Sequence, residues 1–287
     1  MSSETRRIDV GELTLHVEID GRGSPLLMLH GFTGSGGSLT ELAAGLVDDH
    51  RVIRVDLVGH GRSDGPRELA PYRMERCVAH LLELLDQLDL ERAHLLGYSM
   101  GGRTALQLAA RAPHRVTSGL LIGTSAGFQD AAERNERIQR DEALADRIER
   151  DGVEAFVDYW MALPMFASQA SLGETALARD RTRRLDNSPH GLANSLRGMG
   201  AGAQKPLHDA LGLIDTPLVL LAGSLDEKFL AIASDLAPKL PRARTACIQG
   251  AGHAVHLERP AQVLSLARKF FAEADRTAST PWAGPAG

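Results

Sequence analysis

Cysteine is scarce in this chain, and so is lysine. Of 287 residues only Cys77 and Cys247 are cysteines, and they match no metal or redox spacing. Each falls in an apolar periodic stretch, so both are expected as buried free thiols and no disulfide framework is available. Lysine occurs only at Lys205, Lys228, Lys239 and Lys269, so the positive charge is carried almost wholly by arginine. A bias this general looks genomic, and it weakens the meaning of any single Arg. No apolar run approaches the ~20 residues needed to span a bilayer. The polar stretch Met1–Asp9 has no apolar core of the kind a secretion signal needs. These absences argue against membrane insertion and predict a cytoplasmic protein. A net charge of −5, with no basic stripe, gives no sign of nucleic-acid binding.

What is present fits a globular chain. Hydrophobic residues make up 43% and charged residues 24%, enough to bury a sizeable core. Short apolar runs alternate with helix-period segments, the pattern of a mostly parallel sheet covered by helices. Leu13–Val17, Leu26–Leu29, Val52–Val55 (broken only by Arg54), Ala93–Leu96 and Val116–Ile122 read as strands. Tyr72–Leu88 places Met74, Cys77, Val78, Leu81, Leu85 and Leu88 on one helical face. From about Asp130 to Met199 there is no convincing strand. Arg134–Arg150 and Val153–Met161 read as helices there. Alternation resumes with Pro217–Ala222, Glu227–Leu240, Thr245–Ile248 and Pro260–Ala274. The expected organisation is therefore a core of residues 1–129 and 200–274, a helical cap insertion over 130–199, and a disordered tail over 275–287.

The strongest chemical signal is Gly97-Tyr98-Ser99-Met100-Gly101, between an apolar strand run and a helical pattern. The bare pattern is common, but its strand–turn–helix setting is that of a nucleophile elbow. A tight turn needs small flanking residues, and it leaves Ser99 Oγ exposed at a helix N-terminus, where developing negative charge is favoured. His30-Gly31-Phe32 ends the Leu26–Leu29 run. In such an architecture that loop and the residue after the nucleophile supply the oxyanion hole, here the backbone N–H groups of Phe32 and Met100. His30 itself reads as structural. Asp226 follows the strand ending at Ala222, and His253 follows the one ending at Ile248. Both then sit beyond strand carboxyl ends, in the order Ser, Asp, His. Serine is a poor nucleophile or base alone; His253 can take its proton while Asp226 holds the imidazole tautomer. Glu227 is the rival carboxylate. His256 suggests a metal pair with His253, but no third ligand is visible, so neither metal nor cofactor is expected. Together these predict an α/β-hydrolase fold with a Ser99–Asp226–His253 triad.

The motifs His30-Gly31-Phe32-Thr33-Gly34-Ser35, Gly97-Tyr98-Ser99-Met100-Gly101-Gly102-Arg103 and Gly252-His253-Ala254-Val255-His256 go further. With Asp158-Tyr159-Trp160, Pro164-Met165-Phe166-Ala167-Ser168, Gly191-Leu192-Ala193 and Gly223-Ser224-Leu225-Asp226-Glu227-Lys228-Phe229, the chain resembles the 2-succinyl-6-hydroxy-2,4-cyclohexadiene-1-carboxylate synthase family of menaquinone biosynthesis. The resemblance covers roughly residues 10–270. It implies a lyase that eliminates pyruvate from 2-succinyl-5-enolpyruvyl-6-hydroxy-3-cyclohexene-1-carboxylate, with the triad serine as base. It also implies a small-molecule partner with several carboxylates, bound by Arg103, Arg134 and Arg184, with Tyr98, Gln129 and Trp160 lining the pocket. Arg183 and Arg137 stand as alternatives among the cap arginines. The chain departs from the family pattern at Gly36-Gly37-Ser38-Leu39, where an aromatic residue is expected. Two rival readings share the same motifs: a serine hydrolase, either a carboxylesterase or a carbon–carbon bond hydrolase, and a non-catalytic receptor on this fold, against which the intact triad argues. Oligomeric state is not encoded in any motif.

Overall fold

The alternating pattern assembles into one sheet. The computed structural model describes residues 3–278. In chain order the strands are β1 (Glu4–Asp9), β2 (Thr14–Asp20), β3 (Ser24–Leu29), β4 (His50–Val55), β5 (Ala93–Tyr98), β6 (Val116–Ile122), β7 (Leu218–Gly223) and β8 (Ala243–Ile248). They lie in the order β1-β2-β4-β3-β5-β6-β7-β8, with β1, β2 and β4 paired antiparallel and every pair from β4 to β8 parallel. The helices are α1 (Thr40–Ala44), α2 (Met74–Gln87), α3 (Met100–Arg111), α4 (Ala131–Met161), α5 (Glu174–Leu185), α6 (Pro189–Met199), α7 (Glu227–Leu236), α8 (Val255–Glu258) and α9 (Pro260–Ala278).

Side chains alternate between the two faces of a strand, and the core divides accordingly. Leu27 and Leu29 of β3 join Leu95 of β5, Leu121 of β6 and Leu220 of β7 in one cluster, which α2 and α3 cover. Leu26 and Met28 join Leu96, Leu120, Ile122 and Leu221 in the other, closed by Val263, Phe270 and Phe271 of α9. Both faces are buried, which is why these strands read as continuous apolar runs. Arg54 interrupts β4 at little cost because it pairs with Glu18 and Asp20 of the adjacent β2, at 2.7 and 2.9 Å.

Residues 130–199 contain no strand. In α4, Asp130 caps the amino end through Ala132 and Glu133 N–H, and the helix breaks at Gly152 (φ 80°, ψ 172°). That break separates the two helical stretches expected from the periodicity. Ala145, Ile148 and Phe156 of α4 pack on Leu192, Ala193 and Leu196 of α6, with Trp160 and Phe32 against them.

Three expectations need correction. Strand β1 arises from the polar N-terminal stretch and gave no signal, because it is an edge strand exposed throughout except for half-buried Ile8. Cys247 is exposed on the edge strand β8, while Cys77 is buried as expected; both are free thiols. The tail does not begin at Asp275, since α9 runs to Ala278 and the Asp275 carboxylate accepts from Ser24 Oγ (2.9 Å) and meets His94 Nε2 (2.9 Å). Residues 279–287 lie outside the described ones.

Several histidines are sealed inside this fold. Burial, which disfavours the charged form, lowers the pKa of His60 and of His256 to about 3. Unfolded, both titrate near 6.5, so below that pH the unfolded chain takes up protons that the folded chain refuses. Stability is therefore lost as pH falls through 6.5. Urea unfolding should show a loss of about 2–3 kcal/mol between pH 7.5 and 5.5 from this pair, at roughly 1.4 kcal/mol per pKa unit. His256→Gln should flatten that dependence. A wild-type stability that is level or rising over the same interval would contradict neutral burial.

Candidate active site

Ser99 stands between the end of β5 and the start of α3, at φ 52° and ψ −108°, a conformation that side-chain-bearing residues avoid. The turn is held from both ends: Ser99 N–H donates to Ile122 O at 2.7 Å, and its carbonyl accepts from Arg103 N–H at 2.9 Å. The glycines are sterically required. A Cβ on Gly97 would stand 2.5 Å from Gly101 O, and one on Gly101 would stand 2.2 Å from Leu29 O. One on Gly102 would meet Thr124 Oγ1 at 2.0 Å. Glycine at these points lets α3 sit directly on the end of β3.

His253 lies in the loop after β8. Its Nδ1 is 2.7 Å from Asp226 Oδ2, and its Nε2 is 3.1 Å from Ser99 Oγ. Asp226 is fixed in turn as the N-cap of α7, accepting weakly from Phe229 N–H at 3.4 Å. Glu258 anchors the loop itself, accepting from Gly252 N–H at 2.8 Å. The imidazole is almost fully buried, with Phe229 and Tyr98 rings 4.7 and 5.3 Å away. Glu227, the rival carboxylate, is exposed on α7. A proton on Ser99 can thus pass to Nε2 while the carboxylate holds Nδ1–H.

The loop expected to supply an oxyanion donor follows β3. Gly31 O accepts from Gly34 N–H at 3.0 Å, closing a turn with Phe32 and Thr33 at its centre. Phe32 N–H and Met100 N–H, the latter at the first position of α3, find no protein acceptor among the described residues. His30 is structural: Nδ1–H donates to Gly31 O (2.8 Å) and Nε2 accepts from Leu57 N–H (3.0 Å). Those two bonds define its neutral tautomer.

Ser99 and His253 open on a cavity of about 220 Å³. Phe32, Met100, Trp160 and Phe229 give it apolar walls, and Arg103, Arg137 and Lys228 bring positive charge. Among the described residues, Arg103 bonds through Nη1 alone, toward Met199 O and Gln204 Oε1 (both 2.7 Å). Burial, and then the Arg137 charge, lower its pKa to about 10. Arg137 pairs through Nε with Asp141 at 2.8 Å. Asp141 is itself buried, which raises its pKa.

Of the residues expected at the pocket, Phe32, Ser99, Met100, Arg103, Trp160 and His253 line this cavity, with Asp226 behind the histidine. The others stand elsewhere. Tyr98 is buried between His253 and His256, and burial raises its phenol pKa. Gln129 borders an open surface depression beside Asp130 and His208. Arg134 donates through Nε to Gly202 O at 2.9 Å. Arg184 is buried, paired with Asp180 at 2.7 Å and donating to Thr33 Oγ1. Arg137, the alternative to Arg134, takes the cavity-lining position. It lies three residues along the same helix face, so periodicity could not separate the two. Lys228 was given no role, although it stands in one of the family motifs, two residues after Asp226 on the same strand-end rim. Far from this site, His50, His94 and Asp275 bring donor atoms within 4.8 Å of one another, but His94 and Asp275 hydrogen-bond each other and Ser24 joins Asp275 to His50.

A strand-ended serine elbow, a following Asp and a His on the last loop define a class, and the chain belongs to the α/β hydrolase fold family, whose profile matches residues 24–260. Within it, the chain belongs with the 2-succinyl-6-hydroxy-2,4-cyclohexadiene-1-carboxylate synthases. It is 46% identical over 235 residues to the putative synthase of that name from Bacillus subtilis (strain 168), covering 82% of this chain and 85% of the relative. The synthase of Klebsiella pneumoniae (strain 342) is 33% identical over 264 residues, covering 91% of this chain and all of the relative. The solved structure of MenH from S. aureus superposes with a TM-score of 0.86 at 31% identity, covering 91% of this chain and 98% of that one.

The strained elbow has a thermodynamic consequence. A non-glycine residue in such a conformation costs of order 1–3 kcal/mol, partly offset by the greater unfolded-state entropy of glycine. Ser99→Gly should therefore raise the denaturation midpoint, by about 1 kcal/mol in stability, while removing the hydroxyl. A variant less stable than wild type would show that Ser99 is not held under strain.

Proposed function

We propose that this chain eliminates pyruvate from 2-succinyl-5-enolpyruvyl-6-hydroxy-3-cyclohexene-1-carboxylate to give 2-succinyl-6-hydroxy-2,4-cyclohexadiene-1-carboxylate, a step of menaquinone biosynthesis, with Ser99 as base. In this reading residues 130–199 form a helical cap over a core of residues 1–129 and 200–274. The observation that carries it is the joining of a complete proton relay to a cavity with guanidinium donors left over. Among the described residues, Arg103 has no partner for Nε or Nη2, and Arg137 none for either Nη. A pocket for a neutral ester has no use for them, whereas a substrate with several carboxylates needs such forked donors.

The chemistry follows from the substrate. Its C2–H is acidic because it lies next to the succinyl ketone. Ser99 Oγ takes that proton as its own passes to His253 Nε2, and Asp226 stabilises the imidazolium. The electron pair left at C2 delocalises onto the ketone oxygen, where Phe32 N–H and Met100 N–H are available as donors. Through the C3=C4 double bond the same pair expels the C5 ether oxygen. The ring becomes a 2,4-diene, and enolpyruvate leaves to become pyruvate by taking a proton on carbon. The rival reading, a serine hydrolase, uses the same triad for nucleophilic attack and leaves the cationic wall unexplained.

Two variants test the relay. Asp226→Asn should lower kcat for pyruvate release by roughly 10⁴-fold, as expected when the imidazole takes the wrong tautomer, whereas Glu227→Gln should stay within a few-fold. The reverse ranking would reassign the carboxylate.

The cationic wall is tested by comparing substrates. Losing one partner of a desolvated charge pair costs on the order of 2–5 kcal/mol, roughly 30- to 4000-fold in kcat/KM. Arg103→Ala should therefore lower kcat/KM for pyruvate release at least about tenfold more than kcat/KM for a neutral p-nitrophenyl ester. Equal losses would mean a damaged elbow, and a wild type that hydrolyses the ester rapidly but releases no pyruvate would sink the lyase reading.

A further inference from the structure

Thr33 occupies a position its chemistry disfavours. It is the third residue of the turn closed by the Gly31 O to Gly34 N–H bond, and its φ is 66°. A turn with positive φ there calls for glycine or asparagine, and a β-branched residue is an outlier. Thr33 is fully buried, and two residues hold it from the cap side of the chain. Arg184, locked to Asp180 at 2.7 Å, donates to Thr33 Oγ1. Asn187 Nδ2 donates to Thr33 O at 2.9 Å, while Asn187 Oδ1 accepts from Gly61 N–H at 3.0 Å. Asp180, Arg184 and Asn187 are all nearly inaccessible to solvent.

The residue held in this way adjoins Phe32, whose N–H is the oxyanion donor of the reading above. We infer that Arg184 and Asn187 are positioning residues: they clamp Thr33 in its left-handed conformation and so aim Phe32 N–H at the site where negative charge develops. The inference rests on that assignment of Phe32, and it gives Arg184 a role different from direct contact with a substrate carboxylate. It also explains why Arg184 is spent on Asp180 and Thr33 rather than standing in the cavity beside Arg103. Cap and oxyanion loop are one mechanical unit. Whatever shifts α5 shifts a hydrogen-bond donor of the reaction.

The test is a rescue experiment with kcat and KM measured separately. Asn187→Ala and Arg184→Ala should each lower kcat at least about tenfold with little change in KM, because a misaimed oxyanion donor acts on the transition state; outright removal of such a donor costs about 10²–10³-fold. The loss should appear alike on pyruvate release and on an uncharged p-nitrophenyl ester. Glycine adopts the turn conformation unaided, so in a Thr33→Gly background the further loss from Asn187→Ala should shrink to a few-fold. This arm can be read on whichever of the two substrates the wild type turns over. Loss confined to the carboxylate substrate and expressed in KM would make Arg184 a substrate ligand and overturn the inference. So would an Asn187→Ala loss of equal size in both backgrounds, or a fall in thermal stability with kcat unchanged. Failure of the lyase reading itself would show separately, as an absence of pyruvate release by the wild type.

Discussion

The site depends on a contact between two backbones. Helix α3 begins so close to the end of β3 that Gly101 lies against the Leu29 carbonyl with no room for a methyl group, and Gly97 and Gly102 are confined as tightly. That approach brings Ser99, Met100 N–H and the loop carrying Phe32 N–H to one point, although Phe32 and Ser99 are far apart in sequence. Residues at the ends of β7 and β8 then complete it. Asp226 caps a helix and meets His253, so one carboxylate serves both local structure and the imidazole. The parallel sheet delivers all four loops to the same edge, and the glycines let two of them touch.

Charge is distributed around that point in layers. Nearest the serine, the histidine is enclosed by Phe229 and Tyr98. The arginines stand further along the cavity, and their counter-charge lies outside it. Asp141 reaches Arg137 from behind, and Asp180 holds Arg184 away from the lining. A cation with its acid behind it keeps donors available to an incoming anion without leaving a bare charge buried in the fold.

The α/β-hydrolase architecture was legible because its strands are buried on both faces and its turns require glycine. Leu26–Leu29, Ala93–Leu96 and Val116–Ile122 carry that signal in composition alone. Strand β1 carries almost none, since it pairs at the sheet edge and half-buries only Ile8. Cys247 reads as core by its neighbours but faces outward for the same reason. Ser99, Asp226 and His253 could be named from the sequence because each follows a strand at a fixed kind of turn. The helical residues could not be sorted in that way. Arg134 and Arg137 share a helix face, and only packing on α6 decides which one looks into the cavity. Arg184 has the right chemistry for a carboxylate, but Asp180, one turn earlier, takes it first. Periodicity gives a face, whereas function at these positions is a matter of ångströms.

The inverted backbone at Gly152 bears on how such enzymes diversify. Among the described residues, no atom beyond its own stretch of helix backbone lies within 4 Å of where its side chain would be, so the backbone angle restricts the position. On one side of it stand Arg137 and Asp141; on the other stands Trp160. The two arms of α4, which share the cluster on α6, therefore meet at a joint whose side-chain position is unoccupied. Lengthening or shortening the chain at 152 would turn the aromatic wall relative to the cationic one while the sheet and its triad stayed as they are. Descendants of one scaffold could in this way acquire differently shaped chambers by a change in a single joint.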